Sequence, residues 1–304
     1  MPSSPDPNRG YSIDTGRRNR RRIFAGIGAL VVIVIAAIVI INATGSSDAS
    51  AKSFGTNLRI GYNSAFGSEE RLLDFVADEV APKYGVTIEK VSLGDPNQID
   101  RAVSEGNLAA TIYEHEHWLA QQTAAQGTEE TAVEPIFKWA FAIYSQKYDS
   151  VDELPDGATI GIPSDPPNQS QALWLLERLG LITIKDGVEP TQALIGDVDQ
   201  NPHDFNLKEL ELGMMPRALG DIDAGISYVD FFDAAGTPNS DQILSPIAPD
   251  TFAGQLVVGT NYLDDPNIKK LIELWKDPAI QEYLETEGGP ALYLLDAKTE
   301  VGGE

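Results

Sequence analysis

Glu114-His115-Glu116-His117 sets two imidazoles and two carboxylates in four consecutive residues, and these are side chains that transition metals take as ligands. If the segment continues as a strand, His115 and His117 share one face and Glu114 and Glu116 the other. If a helix starts near Glu116, the two imidazoles diverge. The only other histidine is His203, in the loop-like Asn-Pro-His-Asp-Phe segment, so a closed site needs carboxylates from elsewhere. A metal-binding receptor using His115 and His117 is therefore one alternative reading, and a hydrolase with paired carboxylates is another. With 46 acidic residues, adjacent acids carry little information, since most are solvated surface charge. The sequence contains no Gly-x-Ser-x-Gly elbow, phosphate loop, His-Glu-x-x-His or glycine-rich dinucleotide fingerprint, the arrangements that would carry nucleophilic, phosphoryl, metalloprotease or hydride chemistry. Cysteine is absent, which removes thiol nucleophiles, disulfides, thiolate metal sites and a lipidated cysteine. Neither a cofactor nor a catalytic activity is expected. A third class, an adhesion or structural ectodomain, predicts no enclosed cleft.

The charge of the chain is unevenly placed. Residues 1–22 carry six arginines and two aspartates, leaving 16 of the 22 basic residues and 44 of the 46 acidic ones to the rest. A body that acidic repels phosphate backbones and anionic lipid, so nucleic acid is not an expected partner. Directly after Arg17-Arg18-Asn19-Arg20-Arg21-Arg22 come nineteen uncharged residues, Ile23 to Ile41. As a helix at about 1.5 Å per residue they nearly span a hydrocarbon core of about 30 Å. The basic flank places the N-terminus in the cytoplasm and the body outside. A cleavable signal sequence competes, because Ala49-Ser50-Ala51 resembles a small-residue cleavage site, but the apolar run exceeds the usual length of about 7–15 residues. The reading adopted is a retained signal anchor at 23–41, a cytoplasmic basic segment at 1–22 and a flexible tether at 42–56.

From Leu58 onward, β-branched runs alternate with amphipathic stretches, which predicts an α/β fold with a largely parallel sheet. Strands are expected at 58–63, 87–93, 109–115, 158–164, 207–212, 224–229 and 254–262. Helices are expected at 69–85, 97–106, 116–126, 167–180 and 214–222, and at 267–288 with an interruption at Pro278. Residues 132–146 are too apolar for a surface loop and read as a crossover between lobes. A chain that builds one α/β unit, then another, and returns places a small-molecule cleft between them. Lobe 1 is expected to comprise 57–138 plus 250–295, and lobe 2 to comprise 139–249.

Particular phrases carry a resemblance. They are Asn107-to-Gln122 (NLAATIYEHEHWLAQQ), residues 150–188 (SVDELPDGATIGIPSDPPNQSQALWLLERLGLITIKDGV), residues 197–223 (DVDQNPHDFNLKELELGMMPRALGDID) and the closing helix after Asn267. From about Leu58 to Leu295 the chain resembles the methionine-binding NlpA-type lipoproteins, substrate-binding proteins of ABC importers. The resemblance implies a two-lobed, type II periplasmic-binding-protein fold that captures methionine or a related solute outside the membrane. It also implies delivery to an ABC permease with its ATPase subunits. Relatives are held by a lipidated cysteine; here the apolar segment takes that place, giving a single-pass cell-membrane protein with an extracytoplasmic body.

The resemblance also assigns a pocket. An aromatic-Gln-His phrase that lines the cleft in the family reads Tyr113-Glu114-His115 here, and the crossover aromatic corresponds to Trp139. Aromatic walls hold a thioether or another apolar side chain by packing and sulfur–ring contact. The family's Asn-x-x-Arg, which supplies an amide and a guanidinium to the ligand's α-carboxylate, reads Asn168-Gln169-Ser170-Gln171. A further family asparagine aligns with Tyr228. Glutamine cannot replace the charge of a bidentate arginine. With Glu114 and Asp230 placed nearby, the cleft is expected to suit a neutral or cationic ligand better than a free α-carboxylate. Arg217, in a Met-Pro-Arg-Ala phrase shared with the family, is read as a brace for the second lobe, with a cleft-facing role left open.

Overall fold

The computed structural model describes residues 53–298. The basic segment 1–22, the apolar run 23–41 and the tether as far as residue 52 lie outside the described residues. Among the described residues, no helix is long and apolar enough to cross a membrane.

The body begins with β1 (Asn57–Asn63), α1 (Gly67–Phe75), β2 (Thr87–Leu93), α2 (Pro96–Ser104), β3 (Ala110–Glu114) and α3 (Glu116–Gln126). β1 pairs in parallel with both β2 and β3. The expected helix 69–85 stops early: α1 gives way to a π turn at Val76–Val80 and a 3-10 turn at Ala81–Tyr84, where Pro82 cannot donate to a continuing α ladder. Leu72, Leu73, Val76 and Val80 are nevertheless all buried, as their spacing requires.

Next come β4 (Glu130–Trp139) and β5 (Phe141–Tyr144), which are separated by Ala140 alone yet belong to different sheets. The chain continues through β6 (Thr159–Pro163), α4 (Pro166–Arg178), β7 (Thr183–Ile184), β8 (Val198–Gln200), β9 (Asn206–Leu210), α5 (Met215–Ala218), β10 (Ala224–Tyr228), α6 (Val229–Ala234) and β11 (Gln242–Leu244). It returns with β12 (Ala253–Gly259), α7 (Pro266–Leu274), α8 (Pro278–Thr286) and β13 (Leu292–Tyr293). One sheet has the order β13-β4-β12-β3-β1-β2 and the other β11-β5-β10-β6-β9, with β7 and β8 as a separate pair. The two sheets are thus joined through Ala140 and through residues 245–252.

Both large sheets are mixed, which corrects the expectation of a largely parallel sheet. β12 runs antiparallel to β3 and β4, and β5 antiparallel to β10. The reason lies in the crossover: 132–146 and 254–262 are largely apolar stretches, and such composition fixes burial without fixing direction.

Four helices start on an Asp-Pro dipeptide, with Asp95, Asp165, Asp265 and Asp277 each accepting a backbone N–H from the first turn. Aspartate satisfies an otherwise orphaned donor, and proline at the first helical position has none to lose. The helix expected at 214–222 shrinks to α5. Met215 of α5 sits over Gly161 and Gly225, paired across β6 and β10, where a Cβ on Gly161 would come within 2.6 Å of the Met215 sulfur.

Candidate functional site

β3, α3, α4 and β10 bring their ends to one cavity of about 260 Å³, just below the range of about 300–1,000 Å³ for ligand pockets. Its lining draws on both sheets. Tyr113, Glu114, His115 and Trp118 come from the end of β3 and the start of α3, and Trp139 from the end of β4; Asn168 of α4 and Tyr228 of β10 come from the other side. An adhesion ectodomain without an enclosed cleft does not fit this geometry.

The wall is aromatic. Phe66, just before α1, lies with its ring 5.9 Å from Trp139, 5.3 Å from Tyr228 and 5.3 Å from Phe231, and Trp139 is 5.8 Å from Tyr228. Such rings offer an apolar, polarizable surface to a ligand side chain. Phe66, Trp118, Leu212 and Phe231 line the cavity but were not singled out from the sequence. Periodicity marks them only as apolar; their role follows from the loop ends that carry them.

His115 is the N-cap of α3. Its Nδ1 accepts the Trp118 backbone N–H at 3.4 Å, and its Nε2 faces Asn168 Oδ1 at 3.4 Å. Those partners assign the proton to Nε2. Burial lowers the imidazole to about 3, with the Asn168 contact opposing it, so His115 is neutral at physiological pH. The helix does begin at Glu116, and although the two rings stay 6.1 Å apart they take different partners: His117 Nε2 meets Thr251 Oγ1 at 2.8 Å. With both His115 nitrogens engaged, the metal reading built on His115 and His117 has no support.

Asn168 is held from three sides. Its backbone N–H and Nδ2 both donate to Asp165 Oδ1, at 3.0 and 2.7 Å, while its Oδ1 accepts the Tyr228 hydroxyl at 2.7 Å. Tyr228 also lies 3.2 Å from Gln171 Oε1. A hydroxyl has one proton, so turning the Gln171 amide to present Nε2 as a donor satisfies both contacts. Gln171 is 2% exposed and stands behind Tyr228 rather than in the lining. Arg217 is exposed and also outside the lining. Among the described residues, the cavity is lined by neither Lys nor Arg.

Two buried acids, Asp230 and Glu69, lie outside the lining. Asp230 accepts the Ser68 backbone N–H at 2.8 Å and the Ser68 hydroxyl at 2.7 Å. Glu69, fully buried, accepts the Asn63 N–H at 3.3 Å. Burial, then the Asp230 charge, pushes the Glu69 carboxyl well up; the Trp139 indole N–H opposes this without reaching a hydrogen bond of ordinary geometry. Glu114 borders the cavity, but both its carboxylate oxygens are buried and make no hydrogen bond. They lie beside Asp100 and Glu130.

A family model described as NlpA lipoprotein matches residues 58–292. The D-methionine-binding lipoprotein MetQ of Escherichia coli strain K12 is 30% identical over 219 residues, covering 71% of this chain and 80% of that protein. A nutrient-binding protein from Burkholderia cenocepacia, solved bound to methionine, is 27% identical with a TM-score of 0.67, covering 77% of this chain and 98% of that one. A periplasmic substrate-binding protein of an ABC transporter from Coxiella burnetii is 26% identical with a TM-score of 0.69, covering 78% and 99%. The α/β architecture is that of the substrate-binding proteins, and these relatives are binding proteins rather than enzymes.

Proposed function

We propose that this chain, which belongs to the NlpA lipoprotein family, is the extracytoplasmic receptor of a methionine-type ABC importer. Its ligand is a small amino-acid-like solute, held in the cavity between the two sheets. The observation that carries this reading is the cavity itself, with an aromatic wall of Phe66, Trp139 and Tyr228 and a polar end of His115 and Asn168. Tyr113, Glu114, His115, Trp139, Asn168, Gln171 and Tyr228 are the proposed site residues. Tyr113, His115, Trp139, Asn168 and Tyr228 contact the ligand, while Gln171 acts through Tyr228. Glu114 bounds the pocket from behind.

A free α-carboxylate lacks a cationic partner here, because no lining residue is basic and the resemblance implies that Gln171 takes the place of an arginine. The ligand is accordingly methionine bound weakly, or a relative whose carboxylate is masked or whose charge is positive. Closure brings lobe 1 (57–138 plus 250–295) against lobe 2 (139–249), with ligand affinity for the closed form supplying the free energy. Residues 23–41 hold the receptor in the cell membrane with the body outside, and an ABC permease with its ATPase subunits receives the solute. Calorimetry on the solubilised full chain tests the reading. One ligand from a panel of methionine, its blocked derivatives and cationic metabolites should bind per chain, and Trp139→Ala should abolish the heat. Absence of binding across that panel would remove the receptor assignment.

A further inference from the structure

Behind the cavity wall, Asp100 of α2, Glu114 at the end of β3 and Glu130 at the start of β4 each direct a carboxylate oxygen into one space, all three within 4.8 Å of one another. Asp100 is 0% and Glu114 1% exposed. Two unpaired oxygens of one buried carboxylate are costly to leave unmet, yet neither oxygen of Glu114 has a hydrogen-bond partner. Gln126 adds a third such atom: its Nε2 donates to Asp100 Oδ2 at 3.2 Å, while its Oε1 is buried and unpartnered. The Thr128 hydroxyl is close enough to Glu130 to favour its charged form, without a hydrogen bond of ordinary geometry. Among the described residues, no Lys or Arg pairs with any of the three acids.

We propose that Asp100, Glu114 and Glu130, with the Gln126 amide turned to present its oxygen and with the Thr128 hydroxyl, form a binding site for one Ca²⁺ ion. All the donors are oxygens, and three are carboxylates, the set that hard cations take and that thiophilic metals do not. Oxygens at 2.3–2.6 Å from Ca²⁺ lie up to about 5 Å apart across the ion, which matches the spread of the three carboxylates. Mg²⁺ demands about 2.0–2.1 Å and a tighter octahedron, so it fits less well. The three carboxylates come from three elements that meet only in the folded chain, and the site is separate from His117. It also reaches the cavity: the Tyr113 hydroxyl donates to Asp100, and Trp118 Nε1 donates to that hydroxyl at 3.1 Å. An ion that fixes Asp100 thereby fixes two aromatic residues of the cavity wall.

The test is thermal unfolding of the solubilised full chain, freed of metal with a chelator and titrated with CaCl₂ or MgCl₂. A ligand that binds only the folded state raises the midpoint in a saturable way. Ca²⁺ should raise the midpoint with one ion per chain, and Mg²⁺ at equal concentration should raise it less. Glu114→Gln and Glu130→Gln should each weaken the Ca²⁺ response at least tenfold, while Glu285→Gln, at an exposed position, should leave it unchanged. Both amides should stay folded in chelator, with midpoints at or above the parent's at pH 7, because each removes one carboxyl from a crowded acidic cluster. A midpoint that does not respond to Ca²⁺, or a response of equal strength in the parent and in either amide variant, would overturn the site.

Discussion

Asp230 accepts two hydrogen bonds from Ser68, at 2.8 Å from the backbone N–H and 2.7 Å from the hydroxyl. The residues lie 162 apart in sequence, Ser68 on α1 beside the six-stranded sheet and Asp230 on α6 after the last residue of β10. The contact joins the two halves of the body beside Phe66, Tyr228 and Phe231 of the cavity lining. His115 and Asn168 make a second, longer bridge at 3.4 Å.

Ser68→Ala removes the hydroxyl bond and keeps the backbone one. A hydrogen bond to a charged group contributes about 1.5–3 kcal/mol, so ligand affinity should fall by roughly tenfold or more as the closed form loses a contact. Calorimetry paired with small-angle scattering checks this. Unchanged affinity together with unchanged closure would show that the bridge does not hold the closed form.

Reinstating the guanidinium calls for two changes. Gln171 is buried behind Tyr228, with the hydroxyl 3.2 Å from its amide, so Gln171→Arg alone meets a ring in its path. The pair Gln171→Arg with Tyr228→Asn clears that path, and free methionine should then bind at least tenfold more tightly than to the parent. Breaking a buried charge pair typically costs about 3–5 kcal/mol, so the expected gain is well inside what such a pair can supply. No gain in the double variant would mean that the carboxylate lies elsewhere.

His115 should remain neutral far below the usual imidazole range, since burial holds it at about 3. Its folded value lies below the unfolded one of about 6.5. The stability linked to it is therefore complete above about pH 6.5 and is lost as pH falls towards 3. NMR of the ring protons, assigned with His115→Gln, reads this directly. Titration of that signal near pH 6.5 would contradict the buried, Asn168-facing placement.

Much of this was legible in the sequence, for reasons that differ by element. Leu72, Leu73, Val76 and Val80 announced a buried helix face by spacing, and all four are buried. Proline after aspartate at 277–278 announced a break and a new start, which α7 and α8 realise. The same dipeptide at 95–96, 165–166 and 265–266 would have set those helix starts one residue earlier than they were read. β11 and β13 escaped notice because short edge strands are defined by distant partners, Tyr144 and Ile143 for one, Trp139 and Lys138 for the other. At the site, residue types placed Tyr113, His115, Trp139, Asn168 and Tyr228 at the cavity through family resemblance. Nothing local revealed that Glu114 turns towards Asp100 and Glu130, because those partners come from other elements distant in sequence.

Residues 23–41 make a prediction that the described body does not depend on. The full chain should sediment with membranes, and a chain beginning at Ser53 should be recovered as soluble protein. Recovery of a mature form starting near Lys52 in the culture medium would replace the anchor with a cleaved signal.

The most direct test of the account compares free methionine with methionine amide on the same solubilised full chain, by calorimetry at pH 7. A receptor cavity lined by aromatics and lacking a basic side chain should bind the amide more tightly than the free amino acid, each at one per chain. Tight binding of free methionine with little or none of the amide would show that a carboxylate donor survives in the cleft, and would contradict the altered-ligand reading.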